Sequence, residues 1–334
     1  MSSVRVALVT TSYPRHPGDP AGHFVAAEAR ARARAGDQVT VFAPAEWGAV
    51  EPGNPRIVWL RSGDAFGWPG ALARLREAPR RAVGVARFVA AARRAVSGAA
   101  LDEVVAHWLL PAAWPIAARA RGRLEVVCHG TDVELVAALP AFARDRLFAS
   151  LAGRGARYRC VSADLAARLV AIAPVHVRGA VSVEPARFEV PPGLSREGAR
   201  ARLGVAQGAR VVVIVARLIE AKRVAVALRA AALVPGTRVV VLGDGPLRAQ
   251  LAAAHPAAEL RGLVPRDEAL EWIAAADVLL AASWREGAPT AVREARALGT
   301  TVVASSAGDL AAWAALDGGL SVVSRAGCGA RAPR

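Results

Sequence analysis

The chain has 334 residues and a formal net charge of +15, and 54% of its residues are hydrophobic while 21% are charged. This composition is typical of an ordered globular protein and excludes a disordered chain, and the length predicts about two domains. No segment approaches the roughly 20 consecutive apolar residues of a transmembrane helix, which argues against a membrane-spanning protein.

The first half of the chain alternates short apolar strands with helices. Its first ten residues are too short and too strand-like for a signal peptide, so we expect a cytoplasmic protein. The predicted elements are a strand at 5–10, a Pro/Gly loop at 13–22, a helix at 23–35, and strands at 38–43, 104–106, 124–128 and 158–161. Short strands separated by helices predict a parallel sheet with right-handed crossovers. We therefore assign residues 1–182 to an N-terminal Rossmann-like domain.

The same alternation restarts after a stretch at 183–208 that is rich in Pro, Gly and charge, which we interpret as a linker with a short helix. The second series comprises strands at 211–215, 238–242, 259–263, 277–282 and 301–304, a helix at 223–233, and the turn Gly243-Asp244-Gly245-Pro246. It predicts a second Rossmann-like domain at 209–323, followed by a disordered tail at 324–334. The fold class is α/β, and two such domains in tandem would bind ligands in a cleft beyond the carboxyl ends of their strands.

Metal and disulfide chemistry have little support in the sequence. Cys128, Cys160 and Cys328 are odd in number and far apart, and they offer neither a disulfide framework nor a zinc-ligand spacing. The six histidines are scattered, and no Asp-x-Asp pair is present to hold a divalent cation. If the protein is an enzyme, we expect its reaction to need neither a bound metal nor another cofactor.

The excess positive charge comes from arginines that recur along alanine-rich helices, as in Glu28-Ala29-Arg30-Ala31-Arg32-Ala33-Arg34. A solvated helix face is the first interpretation of this pattern. Weak contact with an anionic membrane surface, which gains about 1 kcal/mol per nearby cation, is the second. Nucleic acid is not expected as a partner, because the arginines do not form blocks interleaved with aromatic residues.

Lys222 is the only lysine in the chain, although lysine and arginine together number 43. Its retention in a chain that uses arginine everywhere else suggests a position that needs a compact, flexible ammonium group. The apolar strand at 211–215 runs into the charged turn that contains it. The alternative is that a single surface lysine persists by chance.

The segment at 283–299 carries two carboxylates around a predicted helix start. Glu286 lies in a turn after a strand, Pro289 is a suitable first helical residue, and Glu294 follows about one turn into the helix. On this helix Glu294 shares a face with small and apolar neighbours, which is costly for a carboxylate that has no partner.

The free backbone N–H groups of Thr290 and Ala291 at this helix start favour an anion such as a phosphate. A phosphate there would leave a ribose about 5 Å further along, within reach of Glu294. Arg217 and Lys222 could supply the countercharge from the strand and turn that open the same half of the chain. An ordinary amphipathic helix with a satisfied glutamate explains the spacing equally well.

Several motifs follow one another in a specific order. Residues 208–306 contain Arg217-Leu218 with Lys222, then Gly243-Asp244-Gly245-Pro246, then Glu286-x7-Glu294 with Gly287 and Pro289. The first half contains Pro17-Gly18-Asp19-Pro20-Ala21-Gly22-His23-Phe24, His107-Trp108-x-Leu110-Pro111 and His129-Gly130-Thr131-Asp132. Together, to about residue 320, these motifs resemble the family 4 retaining glycosyltransferases, which have the GT-B fold of two Rossmann-like domains that face a cleft. The earliest motif is similar to members that build cell-envelope polysaccharides.

The resemblance implies that a sugar moves from a nucleotide diphosphate donor to a glycan or lipid-linked acceptor, in cell-envelope or exopolysaccharide synthesis. The second domain would bind the donor and the first would face the acceptor, and the protein would work at the inner face of the membrane. Retaining members are thought to use front-face substitution, in which the leaving phosphate accepts the proton of the acceptor. No protein nucleophile is then required.

The resemblance also implies a role for each motif residue. The residues implied in catalysis are His129, Glu286, Arg217 and Lys222, and those implied in donor binding are Gly22, Gly287, Ala288, Thr290, Ala291, Glu294 and Val264.

Arg217 and Lys222 would hold the donor diphosphate and stabilise the charge that grows as the nucleotide leaves. Glu294 would hold the ribose hydroxyls, while Glu286 and the backbone after it would contact the donor sugar. His129 would approach the sugar from the first domain. Gly22 would let the first loop come close to the donor phosphate or the acceptor. Backbone groups near Val264 would recognise the base.

Structural explanations compete with several of these roles. His129 ends a strand and could be only a hydrogen-bonded residue. Asp132 is best explained as a helix N-cap, and His107 and Trp108 as packing residues of the cleft wall. The turn at 243–246 supports the fold rather than the chemistry.

Two features depart from the family pattern. The first loop carries Ala21-Gly22 where the family often has paired glycines. The chain also ends at Arg334, where family members usually continue for several dozen residues, so we expect a shortened C-terminal part. The alternatives are therefore a truncated, non-catalytic GT-B protein that binds a nucleotide sugar and, third, a sugar-nucleotide epimerase of similar fold.

Overall fold

The computed structural model describes residues 3–67 and 70–323, which divide into two α/β units between Phe188 and Glu189. The division falls within the stretch at 183–208 that we interpret as a linker. The predicted tail at 324–334, with Cys328, lies outside the described residues.

The first unit is built on a single sheet with helices between its strands. Its strands are β1 (Arg5–Val9), β2 (Gln38–Ala45), β3 (Ala49–Glu51), β4 (Arg56–Arg61), β5 (Glu103–His107), β6 (Arg123–Cys128), β7 (Arg157–Cys160) and β8 (Val181–Val183). Its helices are α1 (His23–Arg34), α2 (Ala71–Glu77), α3 (Ala82–Gly98), α4 (Thr131–Ala137), α5 (Ala141–Ala152), α6 (Ala163–Ile172) and α7 (Val175–Arg178), with short helical turns at Gly63–Ala65, Pro79–Arg81, Leu109–Ile116 and Ala117–Arg119. Across the described residues the strand order is β3-β4-β2-β1-β5-β6-β7-β8, and each pair is parallel except β3 with β4.

The second unit repeats this architecture with a fully parallel sheet. Its strands are β9 (Arg210–Val215), β10 (Thr237–Leu242), β11 (Glu259–Gly262), β12 (Val278–Ala281), β13 (Thr301–Ser305) and β14 (Leu320–Val323). Its helices are α8 (Arg196–Arg202), α9 (Val224–Ala232), α10 (Arg248–Ala254), α11 (Arg266–Ala275), α12 (Thr290–Ala297) and α13 (Leu310–Ala314), with a 3₁₀ turn at Glu220–Lys222. Up to residue 323 the strand order is β11-β10-β9-β12-β13-β14. Two parallel sheets with intervening helices confirm the predicted α/β class.

The central strand β9 is covered by apolar side chains on both faces of its sheet. Val213 packs in one cluster with Leu270 and Trp272, while Ile214 packs in another with Leu228. Consecutive residues of a strand point to opposite faces, so both faces of this strand are buried. Burial on two sides explains why it reads as an uninterrupted apolar run, which is typical of a parallel strand.

The short helix α8, from the predicted linker, packs against α11 through a buried arginine. The guanidinium of Arg200, which has no exposed surface, donates to the carbonyls of Ala206 over 3.1 Å and Ala275 over 2.9 Å. It also pairs with the carboxylate of Asp277 at 3.1 Å. An arginine can be buried here because its planar fork satisfies several acceptors at once. Part of the charge-rich stretch is therefore integral to the second unit.

The predicted strands and helices of both units are present, with ends that differ by one or two residues. Four strands were left unassigned by the sequence analysis, namely β3, β4, β8 and β14, and several helices, such as α3, were given no bounds. Of these, β3, β8 and β14 are short strands at sheet edges, and every residue of β3 is exposed. Edge strands of this kind carry no continuous apolar run, so hydrophobic periodicity does not reveal them.

Gly22 precedes α1 with a left-handed backbone, at φ +64°. A Cβ at this position would lie 2.2 Å from the carbonyl oxygen of Ser12 and 2.7 Å from the amide nitrogen of Tyr13. The close approach of two backbone segments therefore requires glycine here, independently of any ligand.

We expect Gly22→Ala to lower the free energy of unfolding by about 3 kcal/mol, because the loop must move as well as accept a strained backbone. Gly155→Ala is the matched control, since Gly155 has φ +62° but has open space where a Cβ would lie. There we expect a loss of about 1 kcal/mol from the positive φ alone. Urea unfolding followed by circular dichroism measures both losses, and equal values would contradict the packing argument.

Candidate functional site

In both units the polar residues singled out in the sequence follow the carboxyl ends of parallel strands. In the second unit they follow β9 and β12, and in the first they follow β1, β5 and β6. Parallel strands end at the same edge of a sheet, and ligands of α/β sheets bind beyond that edge. Each unit therefore gathers its candidate residues where a ligand would be expected.

The ammonium group of Lys222 lies 2.6 Å from Oε1 of Glu286, so the structure brings these two predicted residues together. Lys222 ends the 3₁₀ turn after β9, and Glu286 lies in the loop after β12, which pairs with β9 in the sheet. The two side chains are 20% and 11% exposed, so the ion pair is partly shielded from water. A compact ammonium group suits this single close contact better than a planar guanidinium would.

Two residues that the sequence analysis missed hold the Lys222 turn against the Glu286 loop. The guanidinium of Arg223 stacks over the ring of Trp284, 4.0 Å from its centroid. The backbone N–H of Trp284 donates to the carbonyl of Ala221 over 2.8 Å. The two residues lie in different loops, far apart in the sequence, so no sequence spacing predicts their contact and only the structure shows it.

The turn at 243–245 supports the backbone that carries Arg217. A Cβ on its first glycine would lie 2.0 Å from the carbonyl oxygen of Ala216, and one on its second would lie 2.5 Å from that of Leu218. The N–H of Leu218 also donates to a carbonyl of the turn over 2.9 Å. The turn therefore shapes the end of β9, where the guanidinium of Arg217 is exposed and has no partner among the described residues.

Glu294 is buried on α12, with 7% of its surface exposed, and it is paired with Arg266. The guanidinium of Arg266 lies 2.5 Å from Oε1 of Glu294 and donates to the carbonyl of Glu189 over 2.9 Å. Burial raises the pKa of Glu294, and the positive charge of Arg266 opposes this shift. Arg266 belongs to α11, 28 residues away, so spacing within α12 could not identify it. Val264 lies two residues before Arg266 and is partly buried against the core of this unit.

Helix α12 begins at Thr290, and Pro289 occupies the capping position rather than the first helical position that we predicted. No side chain caps this end, and the N–H groups of Thr290 and Ala291 have no partner among the described residues. Gly287 and Ala288 lie in the loop immediately before it. Unpaired N–H groups at a helix start are the arrangement that binds anions.

In the first unit, His129 follows β6 and contacts His107 at the end of β5. Nε2 of His129 lies 3.0 Å from Nδ1 of His107, and the rings of Phe24 and Trp108 each lie 4.8 Å from the His129 ring. Burial lowers the pKa of His107 to about 3 and holds the pKa of His129 well below its ordinary value. Both imidazoles are therefore neutral at neutral pH, and the orientation of His129 is constrained on several sides.

Asp132 is not the helix N-cap that we predicted. Gly130 occupies the cap position of α4, and Asp132 lies in the first turn of the helix. Its buried carboxylate accepts N–H groups from Leu109 over 3.0 Å, from His129 over 3.1 Å and from Gly130 over 2.9 Å. Burial raises the pKa of Asp132, and these backbone donors oppose the shift. Asp132 therefore fixes the backbone of His129 against the segment that follows β5.

Other kinds of site were sought over residues 3–67 and 70–323. Within these ranges no three or more His, Cys, Asp or Glu side chains are grouped so that they could hold a metal ion. None of the helices there combines the length and the apolar character that crossing a bilayer requires. Cys128 and Cys160 are buried free thiols at paired positions of β6 and β7.

Residues 209–326, most of the second unit, match the family described as Glycosyl transferases group 1. Similar curated proteins include a D-inositol 3-phosphate glycosyltransferase of Mycolicibacterium gilvum, which is 37% identical over 131 residues, 36% of this chain and 29% of that protein. The D-inositol 3-phosphate glycosyltransferase of Mycobacterium bovis strain BCG is 33% identical over 171 residues, 44% of this chain and 35% of that protein. The chain thus aligns with about a third of the length of these curated relatives.

Solved structures resemble the chain over nearly its whole length. Sucrose-phosphate synthase from Thermosynechococcus elongatus has a TM-score of 0.72 at 19% identity, covering 96% of this chain and 86% of that chain. Anabaena HepE in complex with UDP-glucose has a TM-score of 0.64 at 17% identity, covering 96% and 85%. WaaG, a glycosyltransferase involved in lipopolysaccharide biosynthesis, has a TM-score of 0.62 at 16% identity, covering 96% and 86%. The chain therefore has the predicted GT-B fold, and its second unit carries the sequence pattern of Glycosyl transferases group 1.

Proposed function

We propose that this protein is a glycosyltransferase that moves a sugar from a nucleoside diphosphate donor to a glycan or lipid-linked acceptor. The observation that carries the proposal is the Lys222–Glu286 ion pair, which joins the ends of β9 and β12 within the stretch that matches the family. Glu286 is followed within four residues by the uncapped start of α12. A cation, a carboxylate and free N–H groups on one continuous edge suit a diphosphate that is attached to a sugar.

The two cations of this edge have complementary roles in the proposal. Arg217 is exposed, while Lys222 is held by Glu286, so the first can capture a diphosphate and the second can neutralise charge close to the bond that breaks. Charge grows on the diphosphate as the sugar leaves, so groups that stabilise it lower the barrier. The leaving phosphate then accepts the proton of the acceptor, and the sugar is transferred with retention and without a metal ion.

Glu294 would hold the ribose of the donor, about one turn along α12 from the phosphate site. Its pairing with Arg266 favours the charged form of the buried carboxylate and orients it, so that it can accept hydrogen bonds from hydroxyl groups. Backbone groups near Val264 would contact the base. Glu286 and the Gly287-Ala288 backbone would contact the sugar.

The setting of the reaction is also a proposal. HepE has been crystallised with UDP-glucose, and WaaG is involved in lipopolysaccharide biosynthesis, which supports a nucleotide sugar donor and a role in cell-envelope or exopolysaccharide synthesis. Such a reaction would take place in the cytoplasm, at the inner face of the membrane. The arginine-rich helix faces would then make weak contact with anionic lipid.

Lys222→Ala and Arg217→Ala should each lower the rate of transfer or donor hydrolysis by about 100-fold to 1000-fold, because each removes charge stabilisation at the leaving group. Lys222→Arg should lose most of the activity as well, since a guanidinium cannot reproduce the single contact. Arg229→Ala is the matched control, because Arg229 is an exposed cation in the last turn of α9.

The rates of transfer and donor hydrolysis are measured with a panel of nucleotide sugars, with and without a metal chelator. Unchanged rates in both alanine variants would contradict the assignment of the diphosphate site. Nucleotide-sugar binding by calorimetry with no turnover over a broad acceptor panel would contradict the proposed activity and favour a non-catalytic binding protein.

Arg266→Ala should lower the free energy of unfolding by about 3 kcal/mol, because it removes the hydrogen-bonded countercharge of the buried Glu294 carboxylate. In the double variant Arg266→Ala/Glu294→Gln, a neutral amide replaces that carboxylate, and we expect at least half of the loss to be recovered. Urea unfolding of the wild type, both single variants and the double variant yields the coupling energy between the two side chains. A coupling energy near zero would show that Arg266 does not hold Glu294.

A further inference from the structure

A chain of buried polar contacts leads from the interior of the first unit to His129. Glu28 of α1 is 3% exposed, and its Oε1 accepts a hydrogen bond from Arg159 of β7 over 2.6 Å. Its Oε2 lies 3.7 Å from Nε2 of His107, which is too long for a hydrogen bond, and this buried nitrogen has no hydrogen-bond partner among the described residues. The other ring nitrogen of His107, Nδ1, lies 3.0 Å from Nε2 of His129. The contacts therefore run from Glu28 through His107 to His129.

Two guanidinium groups lie against the carboxylate of Glu28. Arg159 also pairs with Glu125 at 3.1 Å, and Arg32 lies 3.6 Å from Glu28 and 2.8 Å from Glu103. Arg123 pairs with Glu103 at 3.3 Å, so among the described residues this cluster contains three carboxylates and three guanidinium groups and is formally neutral. The atom of this cluster that lies against His107 is Oε2 of Glu28, a carboxylate oxygen.

A neutral imidazole has one N–H group, so the position of each proton in the histidine pair follows from its neighbours. The carboxylate oxygen attracts an N–H on Nε2 of His107 and would repel a lone pair there. With its proton on Nε2, His107 must accept a hydrogen bond at Nδ1. Nε2 of His129 is then the donor, and Nδ1 of His129 carries no proton.

We propose that Glu28 and His107 are positioning residues that fix the tautomer of His129, so that His129 presents an unprotonated Nδ1 to a hydroxyl group of the donor sugar. The inference rests on the proposed function, together with the role that the family resemblance implies for His129, which is to approach the donor sugar from the first domain. Nδ1 of His129 has no hydrogen-bond partner among the described residues, and the ring is partly exposed. The rings of Phe24 and Trp108 restrict its rotation. A hydrogen bond from a sugar hydroxyl is the contact that such a nitrogen can make.

The arrangement also predicts what a change at Glu28 would do. In Glu28→Gln, Arg159 still donates to the position of Oε1, so the amide oxygen must occupy that position. The amide NH₂ group then faces Nε2 of His107 across the same 3.7 Å and electrostatically favours a lone pair there. The proton of His107 moves to Nδ1, and His129 must accept at Nε2 and carry its own proton on Nδ1. The variant therefore reverses both tautomers while it keeps the shape of the side chain.

Nitrogen NMR of protein labelled with ¹⁵N-histidine, recorded without substrate, distinguishes the two tautomers directly. The six histidines of the chain keep the spectrum simple, and His129→Asn identifies the signals of His129. We expect a protonated Nε2 and an unprotonated Nδ1 at His129 in the wild type, and the reverse in Glu28→Gln. A proton on Nδ1 of His129 in the wild type would overturn the proposal, whether or not the variant folds.

Glu125→Gln is the matched control, because it removes a carboxylate from the same Arg159 without facing His107. It should leave the tautomers unchanged and kcat/KM within about twofold of the wild type. Glu28→Gln should lower kcat/KM for UDP-glucose, or for whichever nucleotide sugar the wild type uses, by about 10-fold to 100-fold, since a donor now opposes the sugar hydroxyl. Equal activity of the two variants, with the tautomer reversed in Glu28→Gln, would overturn the role in sugar binding. Absence of turnover in the wild type would instead count against the proposed function, and the spectra would still decide the tautomer.

Discussion

The candidate site of the second unit depends on one ion pair, between Lys222 after β9 and Glu286 after β12. Pairing of β9 with β12 brings the Lys222 turn close to the Glu286 loop, and the 2.6 Å contact between the two side chains joins them. Stacking of Arg223 on Trp284 supports the same connection from the side. The loop that leads to the free N–H groups of α12 is therefore held at Trp284 and Glu286. The proposed contacts of the diphosphate and the sugar with Lys222, Glu286 and the start of α12 follow from this arrangement.

Each unit buries a carboxylate in its interior and pairs it with an arginine. Glu28 and Glu294 are buried carboxylates, and each is matched with an arginine, Arg159 at 2.6 Å and Arg266 at 2.5 Å. Removing a charge from water costs several kcal/mol, and a close partner offsets that cost without necessarily adding stability. What such pairs provide in this protein is geometry. One sets the protons of a histidine pair, and the other orients a carboxylate at the start of a helix.

Much of the fold was predictable from sequence because parallel strands, buried on both faces, read as apolar runs between helices. Lys222, Glu286 and Glu294 were predictable as candidates because rarity and spacing mark them within single elements. Their partners were not, because spacing identifies the faces of one helix or strand and not the element that packs beside it. Arg266 and Arg223 each act across such a boundary. The N-cap prediction for Asp132 was wrong for a local reason, since the backbone of Gly130 occupies the cap and frees the carboxylate to accept other N–H groups.

The burial of Arg200 has a practical consequence for dissecting the molecule. The family match begins at residue 209, which makes that residue a natural place to cut the chain when the second unit is expressed alone. Such a fragment would lack α8, and the carbonyl of Ala275 and the carboxylate of Asp277 would lose the guanidinium that satisfies them. A fragment that begins at Glu189 retains α8, together with the carbonyl that Arg266 contacts. A fragment of the second unit that keeps these contacts must therefore be longer than residues 209–326, the range that matches the family.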